Sequence, residues 1–138
     1  MGSEHNVEVV RTAYAAFGRG DVDGILATLD PRVTWRTPGA PDLPTAGLRQ
    51  GHAAVREFFG ALLGAFDIAD FQPKDVLASG DMVVVLGTSR EGPKGSGRLV
   101  EFRWAHVFTF EDGKIVSFDE RADATAMAAE FRQAKALA

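Results

Sequence analysis

The chain has 138 residues and a mass of 14.8 kDa, the size of one ordinary domain. With 46% apolar and 25% charged residues and a net charge of −4, it falls among globular chains; disorder, collagen and coiled coil are excluded. Apolar runs such as Val83–Leu86 fall far short of the roughly 20 residues of a bilayer span. No charged-then-apolar leader opens the chain, and its 15 basic residues are scattered rather than gathered into a nucleic-acid stripe. The absence of cysteine removes disulfides, thiol nucleophiles and thiolate metal ligands together. These readings predict a cytoplasmic protein with neither membrane nor nucleic acid as partner.

From Glu4 to Phe17, the residues Val7, Val10, Tyr14 and Phe17 recur at spacings of three and four, one stripe of an amphipathic helix. Ser3 is its expected N-cap and Gly18 or Gly20 its stop. Asp21 caps a second, short helix with the stripe Val22, Ile25, Leu26 and Leu29. Asp30-Pro31 ends it, because the residue before proline avoids the helical region. Val33 to Arg36 reads as a short strand with Val33 and Trp35 on one face, followed by a loop from Pro38 to Gly51. Val55, Phe58, Phe59, Leu62, Leu63 and Phe66 then mark a third helix.

Beyond Phe66 the apolar period changes from helical to two. Ile68 to Ser79, broken by Pro73, suits an edge strand. Gly80-Asp81 turns it into Met82–Glu91, and the glycine-rich loop 92–97 leads to a long strand, Arg98 to Phe110. Asp112-Gly113 makes a hairpin into Ile115–Arg121, and Asp123 caps a last, alanine-rich helix ending near Ala136. Helices first and an antiparallel meander after them predict a single α+β domain over 1–138.

The register of the last hairpin decides which acid faces inward. Even positions of the long strand, from Val100 through Phe102, Trp104, His106 and Phe108 to Phe110, form the apolar face. On the next strand the even set is Val116, Phe118, Glu120 and Ala122. A two-residue turn would set even against odd and bury Asp119 and Arg121. A three-residue loop with Gly113 left-handed pairs Phe110 with Lys114 and His106 with Phe118, which keeps both apolar sets on one face. The expectation is therefore that Glu120 points inward, opposite Trp104 and diagonal to His106.

Val7 to Phe17, Gly20-Asp21 and Asp30-Pro31-Arg32-Val33-Thr34-Trp35 together resemble the opening of the SnoaL-like polyketide cyclases, which share the nuclear transport factor 2-like superfamily with ketosteroid isomerase. Gly51, Ala54-Val55 and Phe58-Phe59 resemble that family's third helix. His106-Val107-Phe108 and Asp112 to Val116 resemble its last hairpin. The resemblance implies a cone: a curved antiparallel sheet wrapped around the N-terminal helices, a cystatin-like roll, with a pocket at its open end. It also implies a pocket acid on the last strand and a histidine on the strand before it, which fall on Glu120 and His106. The family's acid is typically aspartate, and a second histidine of the cyclases stands as Phe118 here.

A carboxylate on an otherwise apolar face loses hydration, which raises its pKa toward the range of a general base. Glu120 is such a carboxylate; set at the rim or held by a neighbour, it would be structural instead. His106 could share its proton, donate to a ligand oxygen or act as the base, or be a satisfied core residue. Tyr14, on the inner stripe of the first helix, could donate to a developing oxyanion or simply pack. Trp35, Phe59, Trp104 and Phe118 could form a pocket for flat apolar ligands, or ordinary core. His5 and His52 are expected to be solvated. The three histidines are far apart in sequence, so no metal is predicted, and loop 92–97 lacks a phosphate-binding pattern. The leading reading is a cofactor-independent enzyme acting on a small, largely apolar or aromatic carbonyl compound, by proton abstraction beside the carbonyl and isomerisation or aldol-type closure. A non-catalytic ligand-binding domain or an association module is the alternative. Outward-facing Val84, Leu86, Ala105 and Val107 predict a homodimer through the convex sheet face, a pairing the resemblance also implies.

Overall fold

The computed structural model describes residues 2–137. In chain order it contains α1 (Ser3–Gly18), α2 (Val22–Leu26), β1 (Leu29–Thr37), β2 (Gly47–Gln50), α3 (Gly51–Ala65), β3 (Phe66–Ser79), β4 (Met82–Pro93), β5 (Val100–Glu111), β6 (Lys114–Arg121) and α4 (Thr125–Leu137). The strands make one curved six-stranded sheet in the order β2-β1-β6-β5-β4-β3. Neighbours are antiparallel except β1 and β6, which run parallel, the chain passing through β2, α3, β3, β4 and β5 before returning beside β1. This is the expected α+β roll, with one parallel pair added.

The core lies between the helices and the inner face of the sheet. α1 buries Val10, Ala13 and Ala16, and α3 buries Val55, Phe58 and Phe59. They meet Val83 and Val85 of β4, Trp104 and Phe108 of β5, and Phe118 of β6, all buried. Each such large side chain contributes about 1.5–3 kcal/mol by leaving water. Asp21 caps α2 as expected, accepting the Gly24 N–H at 2.9 Å. α1 instead starts at Ser3 itself, with Gly2 in the cap position and no side-chain cap.

Three local expectations give way. Pro31 lies inside β1, not merely beyond a helix. The strand tolerates it because pairing with β6 is irregular between Leu29 and Thr34, where a missing N–H costs no ladder bond. The loop expected over 38–51 contains the four-residue β2, too short to show an alternation. The third concerns the β5–β6 hairpin, which closes through a two-residue turn with Glu111 opposite Lys114. Asp112 and Gly113 both have positive φ (50° and 78°), as a type I′ turn requires.

The parity argument survives by another route. β6 carries one extra residue, Val116, between the pairs Phe110–Ile115 and Thr109–Ser117. This bulge switches the facing set, so Ile115 is fully buried near the turn and Phe118 is buried beyond it. His106 therefore stands directly opposite Glu120, not opposite Phe118, and Phe108 is opposite Phe118. The expected inward face holds from Phe118 onward, Ile115 takes the inward place expected of Val116, and the partner of His106 lies two residues from the expected one.

Candidate functional site: an aromatic pocket around Tyr14, His106 and Glu120

The concave sheet face and the helices enclose a cavity of about 100 Å³. Its walls are largely aromatic. Trp35 of β1 stacks on Phe118 of β6 at 3.9 Å between ring centres, and Phe58 and Phe59 of α3 pack against the same indole at 5.7 and 5.5 Å. Phe71 of β3 adds a further wall, and Ala124 and Met127 at the start of α4 close one side. α4 is held there by Arg132 on Asp42 (3.0 Å) and by Arg98 on Glu130 (3.2 Å).

A three-member polar chain crosses this apolar room. The Tyr14 hydroxyl lies 2.7 Å from His106 Nδ1, and His106 Nε2 lies 2.8 Å from Glu120 Oε2. With Glu120 ionised, Nε2–H donates to the carboxylate, which leaves Nδ1 as the acceptor of the Tyr14 O–H. Both ring nitrogens are thus engaged. His106 is 5% exposed, and Trp104 stacks beneath its imidazole at 3.9 Å with a 12° interplanar angle. Burial and, secondarily, the charge of Glu120 push the Tyr14 phenol well above its ordinary range. The Glu120 side chain is more accessible than that of His106, 18% exposed against 7%.

Of the residues expected at the site, Tyr14, Trp35, Phe59, His106, Phe118 and Glu120 all line the cavity. Trp104 does not. It backs the site, wedged behind His106 and stacked on Phe71 at 5.1 Å. Its indole lies over Gly87 of β4, where any Cβ would overlap the ring. His52 is not simply solvated, since its Nε2 contacts the Leu29 carbonyl at 3.0 Å and ties α3 to β1. Among the described residues, no three His, Asp or Glu side chains converge as a metal site, and no helix is long and apolar enough to cross a membrane.

Sequence reasoning missed Glu91. It stands on the inner face of β4, lines the cavity, and accepts a hydrogen bond from the buried Ser89 hydroxyl. Its signal was the alternation Val83, Val85, Gly87, Ser89, Glu91, the inward parity once Val84 and Leu86 face outward. Burial pushes its carboxyl up to about 7, against the lowering effect of Ser89 and with a further rise from Glu120.

A curved sheet closed by helices over a pocket with buried, hydrogen-bonded acid–base groups is a roll scaffold with a candidate small-molecule site. Residues 10–118 match the SnoaL-like domain family, and the chain belongs to that family. Among solved structures, an NTF2-like protein from Burkholderia xenovorans LB400 is 32% identical with a TM-score of 0.85, over 94% of this chain and 98% of that one. TerC, co-crystallised with polyporic acid, is 28% identical with a TM-score of 0.84, over 93% and 98% of the two chains. A protein with a cystatin-like fold from Xanthomonas campestris, 23% identical with a TM-score of 0.76 over 91% and 96%, shares the fold. No curated protein matches the sequence.

Proposed function

We propose that this protein is a cofactor-independent enzyme that takes a small, largely apolar or aromatic carbonyl compound into the pocket and abstracts a proton beside the carbonyl, leading to isomerisation or aldol-type closure. The observation that carries this reading is the Tyr14–His106–Glu120 chain set in an aromatic cavity. Glu120 is the base, because both nitrogens of His106 are already engaged while the carboxylate keeps one oxygen outside that contact. His106 is a positioning residue. Glu120 takes the proton from the substrate carbon and returns it to the product, while the Tyr14 hydroxyl, turning from Nδ1, donates to the oxygen of the developing enolate. TerC, a similar structure, was co-crystallised with polyporic acid, which supports an organic ligand for this protein as well.

The test needs no identified substrate. Cyclic ketones incubated with the protein in deuterium oxide exchange their α-protons if the reading holds, and NMR reads the loss of signal. Glu120→Gln is expected to keep ketone binding and to cut exchange by 10²-fold or more. Ketones that bind without exchange in the parent protein would favour the second reading, a non-catalytic ligand-binding domain. That reading draws on the way Tyr14, His106 and Glu120 satisfy one another's hydrogen bonds. We also propose a homodimer through the outer face of the sheet, and a cytoplasmic setting suited to a chain without cysteine.

A further inference from the structure

The Tyr14–His106–Glu120 chain does not account for every polar group in the cavity. Glu91 is 8% exposed, it faces inward, and its one side-chain partner among the described residues is the Ser89 hydroxyl on Oε2. Among the described residues no arginine or lysine is paired with it. Arg90, its chain neighbour, faces the other side of the sheet toward Asp70, and Arg98 is held by Glu130 of α4. A buried carboxyl without a cation is costly as an anion and is tolerated as an acid. Ser89 donates to one oxygen, so the acid proton belongs on Oε1, the oxygen that Ser89 leaves unengaged.

Glu91 is also set apart from the polar chain along the strands, though near enough across the cavity for the Glu120 charge to act on it. On β4, Val85 is opposite His106, and Glu91 lies six residues further on, opposite Val100. On a straight strand that is about 20 Å, and on this curved sheet less. Between the two polar places the cavity wall carries Phe102 and Phe71. The cavity therefore has two polar ends with an aromatic middle.

Resting on the reading of this cavity as a ligand pocket, we propose that Glu91 is a second ligand-binding group, donating from its carboxylic acid to an acceptor oxygen at the ligand end away from His106. The preferred ligands are flat apolar compounds with oxygen acceptors at both ends. The groups that bear on Glu91 are Glu120, His106 and Tyr14 across the cavity, Asp67 on β3, which accepts the Gly95 N–H, and the Arg98–Glu130 pair between the β4–β5 loop and α4. The ligand pair below cancels their common influence, because only the far acceptor differs.

The probes are 2-acetylnaphthalene and 2,6-diacetylnaphthalene, acceptor-only and non-titrating, compared by calorimetry on the whole protein. Near pH 5.5 the diketone is expected to bind about tenfold tighter, the effect of roughly one well-placed hydrogen bond to an acid. Near pH 8.5, with Glu91 ionised and unable to donate, the preference should vanish. Glu91→Leu should lose it at both pH values while still binding the monoketone. Glu91→Gln, whose amide donates without titrating, should keep it at both. Equal affinities in the parent protein near pH 5.5, or a preference that persists in Glu91→Leu, would overturn the proposal while leaving the pocket reading intact. Failure of both ketones to bind would overturn the two together.

Discussion

Tyr14 is the only tyrosine in the chain, so its ionisation can be followed by tyrosinate absorbance with no assignment step. Burial first and the Glu120 charge second oppose that ionisation. Tyrosinate should therefore appear only above the ordinary range near pH 10. Glu120→Gln removes the second cause and should bring the onset down. An onset unchanged by this substitution would show that Tyr14 and Glu120 do not communicate through His106. Glu91 supplies a different pH dependence. Its ordinary value is 4.5 and in the fold it rises to about 7, so the folded state holds the proton more tightly than the unfolded chain. The stability this gives is fully present below about pH 4.5 and is lost as pH rises through about 7. Glu91→Gln should flatten that fall and be more stable than the parent by about 1–3 kcal/mol near pH 8 in urea titrations. Equal stability near that pH would place Glu91 in a wetter environment than its burial indicates.

At the level of elements, β4 and β5 hold the site through one glycine. Gly87 pairs with Trp104, and its missing side chain is the space the indole occupies. A Cβ at position 87 would also press on the Gln72 carbonyl of β3. Gly87→Ala should therefore push Trp104 off the imidazole it supports. The expected cost is about 1–3 kcal/mol, the range for overfilling a packed interior, with loss of α-proton exchange in the same variant. Full stability with full exchange would mean that β3 can move away at no penalty and that Trp104 is only wall. The bulge at Val116 plays a comparable part in β6, since without it Phe118 and Glu120 would face outward together.

Taken as a whole, the molecule leaves one broad face uncovered by its own chain. On the outer side of β3 and β4, Leu77 is 59% exposed and Met82 45% exposed, with Leu86 beside them. Val84, Ala105 and Val107 continue this surface half-buried. Apolar ground of this kind is unusual on a monomer, and a second copy would cover it with the same residues. Light scattering at micromolar concentration should give twice the chain mass, and Leu77→Lys with Leu86→Lys should return it to the monomer value. A parent protein at 14.8 kDa under those conditions would remove the dimer from consideration.

The sequence alone determined the helical stripes, the long strands and most of their inward faces, because each is written in local periodicity; the roll was implied by the resemblance of its motifs to a known family, and β2 was not legible. That periodicity also placed Tyr14, Trp35, His106, Phe118 and Glu120 on inner faces, which is why most of the pocket was legible. Tertiary structure decided what alternation cannot encode. A one-residue bulge at Val116 set His106 opposite Glu120, since a parity argument is satisfied equally by registers two residues apart. The return of β6 beside β1 made a parallel pair from strands distant in sequence. Whether an inward side chain becomes lining or backing was likewise spatial. Trp104 filled the hollow over Gly87 and fell behind the site, while Glu91, at the far end of β4, reached into the cavity and was buried with no cation to hold it charged.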